Sequence, residues 1–227
     1  MHELLTRRQL LVAGSLGAAA WLVPGVFAEE LSRTPAMTEG PFYPDRLPLD
    51  TDNDLVIVGN STTPAVGEIT HLTGRVLTPN GSGLNNLIVE IWQVDGNGVY
   101  LHSGSDGGGR RDRNFQGFGR FTTNQQGEYR FRTVKPVPYP GRCPHIHFKV
   151  KRGDRELLTT QLFVAGHPGN PRDGIYRSVG GIFDRELVTV DFRRVPDANT
   201  VQYRAHFDIV LGVTPAEGNP GSKKSKG

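Results

Sequence analysis

A single cysteine, Cys143, stands among 227 residues, so no disulfide can form within the chain. Stability has to come from a packed core or from a bound metal. Charge of one sign is also missing. The chain has 26 Lys and Arg against 23 Asp and Glu. Setting aside Arg7, Arg8 and Glu3 leaves 24 basic against 22 acidic residues, and setting aside Lys223, Lys224 and Lys226 leaves 21 against 22. No basic stripe is left for nucleic acid. There is no internal repeat, no long amphipathic helical period and no apolar run long enough to make a good membrane span.

Turn formers and short β-type segments are abundant instead. Gly (29) and Pro (16) punctuate the chain, and a hydrophobic content of 36 % is enough to build a core. Glu68–Leu77, Leu87–Val94, Glu128–Val134, His145–Lys151, Leu157–Val164, Leu187–Phe192 and Val201–Leu211 read as strands, with EYRFRTV and HIHFKVK alternating cleanly. Pro79-Asn80-Gly81, Asp95–Gly98, Gln126-Gly127 and Arg152–Asp154 are the turns between them. The expected fold is all-β: a β-sandwich of about seven to nine short strands with long loops. Gly104–Arg113 is one such loop, of a length that is often functional.

Four regions follow from this reading. Residues 1–28 are expected to be a signal peptide: Arg7-Arg8, a short apolar stretch from Val12 to Val23, then Val26-Phe27-Ala28 as a cleavage site. TRRQLL resembles a twin-arginine signal, implying export of a folded protein to the periplasm or beyond, with no membrane span in the mature chain. Residues 29–60, rich in Pro and Asp, read as an extended N-terminal arm. Residues 61–212 form the sandwich, and 213–227 a solvated basic tail.

The most informative segment is VPYPGRCPHIHF, Val137–Phe148. His145 and His147 are two apart on a strand, so their rings leave the same face, as half of a metal site requires. Two polar residues on a half-exposed strand would give the same pattern. Tyr139 lies between two prolines just upstream, and Tyr100 ends the turn GNGVY. A phenol with pKa of about 10 becomes a useful ligand only for a hard, strongly Lewis-acidic cation such as Fe(III). Aromatic packing on a core rim is the other reading of both tyrosines. Cys143 reads as a small buried residue, since no base or second thiol accompanies it.

TEGPFYP (38–44), GNGVYLH (96–102), NFQGFGRFTT (114–123), GEYRFRTVKPVPYP (127–140), RCPHIHF (142–148) and TTQLFVAG (159–166) occur in this order. Over residues 34–212 the sequence resembles intradiol ring-cleavage dioxygenases, above all the iron-bearing type of subunit in protocatechuate 3,4-dioxygenase. That resemblance implies one non-haem Fe(III) per chain, held by Tyr100, Tyr139, His145 and His147. It implies catalytic roles for Tyr139, as the ligand that leaves and takes a proton, and for Arg142 and Gln161 beside the metal. The implied reaction opens a catechol-type ring with O2 between its two hydroxyl-bearing carbons, giving a cis,cis-muconate-type diacid. A non-catalytic β-sandwich module binding a metal or ligand, and a zinc hydrolase, are the rival readings. A homo- or hetero-oligomer is compatible with the sequence, but all four implied ligands lie in this chain. Family members carry a longer insert between the second tyrosine and the histidines. Here Gly141–Pro144 alone fill that space, and a more open pocket is expected.

Overall fold

A computed structural model describes residues 30–105, 110–196 and 200–212. The expected signal peptide and basic tail lie outside the described residues, as do four residues of the Gly104–Arg113 loop. Among the described residues ten strands make two five-stranded sheets. In the first, β1 (Ile69–Leu77) pairs along one edge with antiparallel β4 (Glu128–Val134). Its other edge takes two parallel strands, β9 (Gln202–His206) and then β10 (Ile209–Val210), and β8 (Arg193–Arg194) closes the far side of β9. The second sheet runs β3 (Phe118–Thr122), β2 (Ile88–Trp92), β5 (His145–Arg152), β6 (Arg155–Val164), β7 (Thr189–Val190). The all-β sandwich expected from the sequence is therefore the fold, with ten strands where seven to nine were expected.

Its core lies between the sheets. Leu72 and Val76 of β1 and Phe131 of β4 meet Val89 and Ile91 of β2 and Ile146, Phe148 and Val150 of β5. Leu55 and Val56, counted as part of the arm by composition, are fully buried in the same cluster. Two helices of five residues, α1 (Gly174–Ser178) and α2 (Ile182–Glu186), fill the connection from β6 to β7. Among the described residues no helix is long and apolar enough to cross a membrane.

The alternation of β5 positions the site. Its even-numbered residues enter the core, so His145, His147 and Lys149 face the opposite side of the second sheet. That side is buried as well, because the arm and two loops cover it.

Candidate active site

Each covering segment has a local reason to sit where it does. The loop carrying Tyr100 is organised by buried Asp95, whose Oδ1 accepts from the backbone N–H groups of Asn97 (2.8 Å) and Val99 (3.0 Å). Its Oδ2 accepts from that of Asp112 (2.6 Å). The loop carrying Tyr139 is a two-residue turn. Tyr139 N donates to Arg142 O (3.3 Å) and Arg142 N to Tyr139 O (2.9 Å). Pro140 supplies the fixed φ, and Gly141, at φ +81°, takes the left-handed position of a type II turn. The arm is tied down by Met37 N, which donates to Thr159 O (2.8 Å), and by Tyr43, whose hydroxyl donates to buried Glu90 (3.0 Å). Phe42 then stacks on Tyr100, with ring centroids 5.0 Å apart.

Four donor atoms converge beneath this cover. Tyr100 Oη lies 2.9 Å from His147 Nε2, 3.1 Å from His145 Nε2 and 3.4 Å from Tyr139 Oη. The two Nε2 atoms are 3.2 Å apart. Metal–nitrogen bonds of about 2.0–2.1 Å would place two donors on one ion about 2.9 Å apart at a right angle and about 3.4 Å apart at the tetrahedral angle. The observed spacings fall in that range.

The chemistry of the donors also fits a hard cation. His145 Nδ1 is 2.6 Å from the Cys143 carbonyl, which can only accept, so the ring carries its proton on Nδ1 and presents the Nε2 lone pair to the cluster. Burial, then the nearby Arg142 charge, lowers the pKa of His145 to about 4. Burial, followed by the neighbouring His145 and Arg142, holds His147 well below the ordinary value. Both rings are therefore neutral at neutral pH, the form in which an imidazole nitrogen can serve as a donor. Tyr100 is pushed well above the ordinary phenol value by burial, then by Tyr139. Its phenolate needs a cation beside it, which is the service Fe(III) would provide. Among the described residues no group of three or more His, Cys, Asp or Glu could hold a metal, so the donor set lacks the third ligand that a zinc site commonly takes from those residues.

Arg142 and Gln161 stand next to this cluster. Gln161, opposite His147 on β6, is fully buried and bound at both ends: its Nε2 donates to Thr38 O (3.0 Å), and its Oε1 accepts from Arg142 Nη2 (2.6 Å). Arg142 Nη1 reaches towards Tyr139 Oη at 3.5 Å. Arg142 also makes an ion pair, from Nε to Asp173 Oδ2 at 2.9 Å. Thus all six residues singled out from the sequence are brought together. Cys143 is buried and unpaired, and burial, then Asp173, pushes its thiol up to about 12.

Three participants were not singled out from the sequence. Trp92, opposite His147 on β2, forms the floor under that ring. Phe42 covers Tyr100. Asp173 ties Arg142 to helix α1. An Asp before a short helix is legible as a cap, but its pairing with a residue 31 positions earlier is not.

The family model described as a dioxygenase matches residues 38–213. The protocatechuate 3,4-dioxygenase beta chain of Burkholderia cepacia is 35 % identical over 179 residues, covering 73 % of this chain and 75 % of that one. Hydroxyquinol 1,2-dioxygenase of Corynebacterium glutamicum is 27 % identical over 227 residues, covering 89 % and 71 %. Among solved structures, the dioxygenase domain of a dioxygenase–carbohydrate-binding protein fusion from Streptomyces sp. SirexAA-E is 28 % identical with a TM-score of 0.60, covering 80 % of this chain and 99 % of that one. With the matched region containing all six residues of the cluster, the reading of a non-catalytic module gives way: the chain belongs to the intradiol ring-cleavage dioxygenases, a family of enzymes.

Proposed function

We propose that this chain is a non-haem Fe(III) intradiol dioxygenase acting on a catechol-type aromatic. O2 opens the ring between the two hydroxyl-bearing carbons, and both oxygen atoms enter a cis,cis-muconate-type diacid. The observation that supports it is the meeting of Tyr100 Oη, Tyr139 Oη, His145 Nε2 and His147 Nε2 within 3.4 Å of Tyr100 Oη, beside the Arg142 guanidinium. These four residues would hold the metal. When bound, Fe(III) supplies a hard Lewis acid that stabilises the phenolates and draws electron density from an aromatic diolate.

The protein parts divide the remaining work. Tyr100, buried under Phe42, is the fixed phenolate. Tyr139 is only half-buried, on a turn bracketed by prolines, and is the freer of the two. Its phenolate oxygen would accept the proton of the second catechol hydroxyl, becoming a phenol that moves aside. Arg142, held by Gln161, keeps a positive charge next to Tyr139 Oη, where negative charge grows on the ring. Trp92, Phe42 and the arm exclude water from the donors.

Oxygen uptake by the purified protein with catechol, protocatechuate, hydroxyquinol and larger diphenols tests the reading. Uptake with at least one of them, with both atoms of labelled O2 in a ring-opened diacid, is expected. A hydrolytic product, or no uptake with the iron-loaded protein, would overturn it. We also infer export by the twin-arginine route from residues 1–28, a route that carries a protein folded around its metal.

A further inference from the structure

Asp173 joins two parts of the molecule that are distant in sequence. Its side chain is wholly buried, and both carboxylate oxygens are used. Oδ1 caps helix α1, accepting from the backbone N–H groups of Ile175 (2.9 Å) and Tyr176 (3.0 Å). A cap needs no more than that. Oδ2 is turned the other way, to Arg142 Nε (2.9 Å) and Cys143 N (2.9 Å). Four donors on one buried carboxylate keep it ionised in a setting where an unsupported charge would be expensive.

The guanidinium of Arg142 is therefore held at two nitrogens. Nε is bound by Asp173 and Nη2 by Gln161, two residues on different elements. A planar group with five donors, fixed at two of them, cannot turn about its long side chain without breaking a charge-assisted bond. Nη1 is left facing Tyr139 Oη. Oδ2 also accepts from Cys143 N, whose carbonyl accepts a hydrogen bond from His145 Nδ1, so any effect through this second contact would be read in iron content and not through Arg142.

We propose that Asp173 is a positioning residue of the ring-cleaving site, acting through Arg142 to keep Nη1 aimed at the substrate position beside Tyr139. The proposal rests on the role given to Arg142 above. Asp173 touches neither substrate nor metal ligand, so its effect on turnover per bound iron has to disappear when Arg142 is removed.

Asp173→Asn retains an oxygen to cap α1 but replaces the acceptor facing Arg142. Asp173→Ser also caps well and is too short to reach the guanidinium. Both are compared with the parent, alone and combined with Arg142→Ala, for iron content, thermal melting, kcat and KM in oxygen uptake. Loss of an outer partner typically lowers activity about 10- to 100-fold. That loss is expected in kcat for both single variants, with KM changed less than about threefold and iron retained. In the Arg142→Ala background either change is expected to alter kcat by less than about twofold, because the two residues act as one unit. Equal losses in both backgrounds would overturn the proposal in favour of a purely structural cap, as would parent-like kcat in both single variants. If Arg142→Ala itself turns over at the parent rate, the role of Arg142 and this proposal fall together. Without oxygen uptake by the parent with any diphenol, the reading of the whole site falls first and carries the proposal with it.

Discussion

The indole of Trp92 lies flat on the imidazole of His147, with ring centroids 4.7 Å apart and planes 12° from parallel. Register causes this, since the two residues are directly opposite on β2 and β5. Lys149, two residues along β5 on the same face, stands 5.9 Å from the indole centroid and 4.1 Å from that of Tyr43. Trp92 has no exposed surface. It is therefore both core and the wall that sets the tilt of His147.

Trp92→Ala should destabilise the fold by about 3–5 kcal/mol, the range for deleting a buried large aromatic. Trp92→Phe should cost much less and keep a ring beneath His147. The midpoints of urea unfolding, with slopes unchanged, measure this. A Trp92→Ala protein that unfolds at the parent midpoint would show that the indole is a lid and not part of the core.

Much of this architecture was legible in the sequence. EYRFRTV gives β4 with the expected limits, and HIHFKVK gives β5 with one residue added. Their alternation is enforced by a core on one face. β3 was not read as a strand because GFGRFT carries glycines, which weaken a strand pattern. Gly119 is there for space: a Cβ would lie 2.5 Å from Leu55 Cδ1 and 2.9 Å from Asp52 O. Leu187–Phe192 was expected to be one strand, but only Thr189–Val190 pairs, because Leu187 still caps the preceding helix. Val201–Leu211 is interrupted at Phe207-Asp208, where the Asp208 side chain accepts from Arg75 N (2.8 Å), while the register along β1 is the same on either side. Site residues within one motif could be read from sequence; Asp173, joined to Arg142 only by the fold, could not.

Acid stability should depend on Asp173. Burial pushes its carboxyl up, but the N–H groups of Tyr176 and Cys143 and the Arg142 guanidinium together outweigh that and hold it below the ordinary 3.8. As pH falls the unfolded chain thus takes up this proton first, and folding loses ground. The contribution is fully present above the unfolded value and disappears as pH passes down through the folded one. The stability gap between parent and Asp173→Asn should be constant above about pH 5 and should narrow below about pH 4. Urea unfolding from pH 3 to pH 6 checks it. A gap that widens towards acid would mean that the carboxyl is not favoured in its ionised form.

Export can be separated from catalysis. Arg7→Lys combined with Arg8→Lys should leave the protein in the cytoplasm while activity in lysates stays at the parent level. Fractionation followed by oxygen uptake measures both. Normal export of the double variant would assign the leader to the general secretory route.

The two tyrosines and the histidines should respond differently to mutation, because their surroundings differ. Two tyrosinates on Fe(III) should colour the protein burgundy to red-brown. A colourless protein holding one iron would remove the tyrosinate assignment. His147→Ala should lose iron, since the remaining groups around that ring, Trp92 and Gly40, offer no donor in its place. Tyr139→Phe keeps the ring of a half-buried residue, so folding should survive, with iron retained and the colour altered. It removes the oxygen that accepts the second catechol proton, and losing one general base typically slows a step by about two to four orders of magnitude. Anaerobic mixing with a catechol should then show slow formation of the complex. Arg142→Ala should bind catechol at close to the parent rate and lose speed only when O2 is admitted, because the charge it stabilises develops later. Iron content, the anaerobic binding rate and the decay of the complex on exposure to O2 separate these cases. If Tyr139→Phe binds as fast as the parent, the proton goes elsewhere. Its hydroxyl would then be a ligand and nothing more.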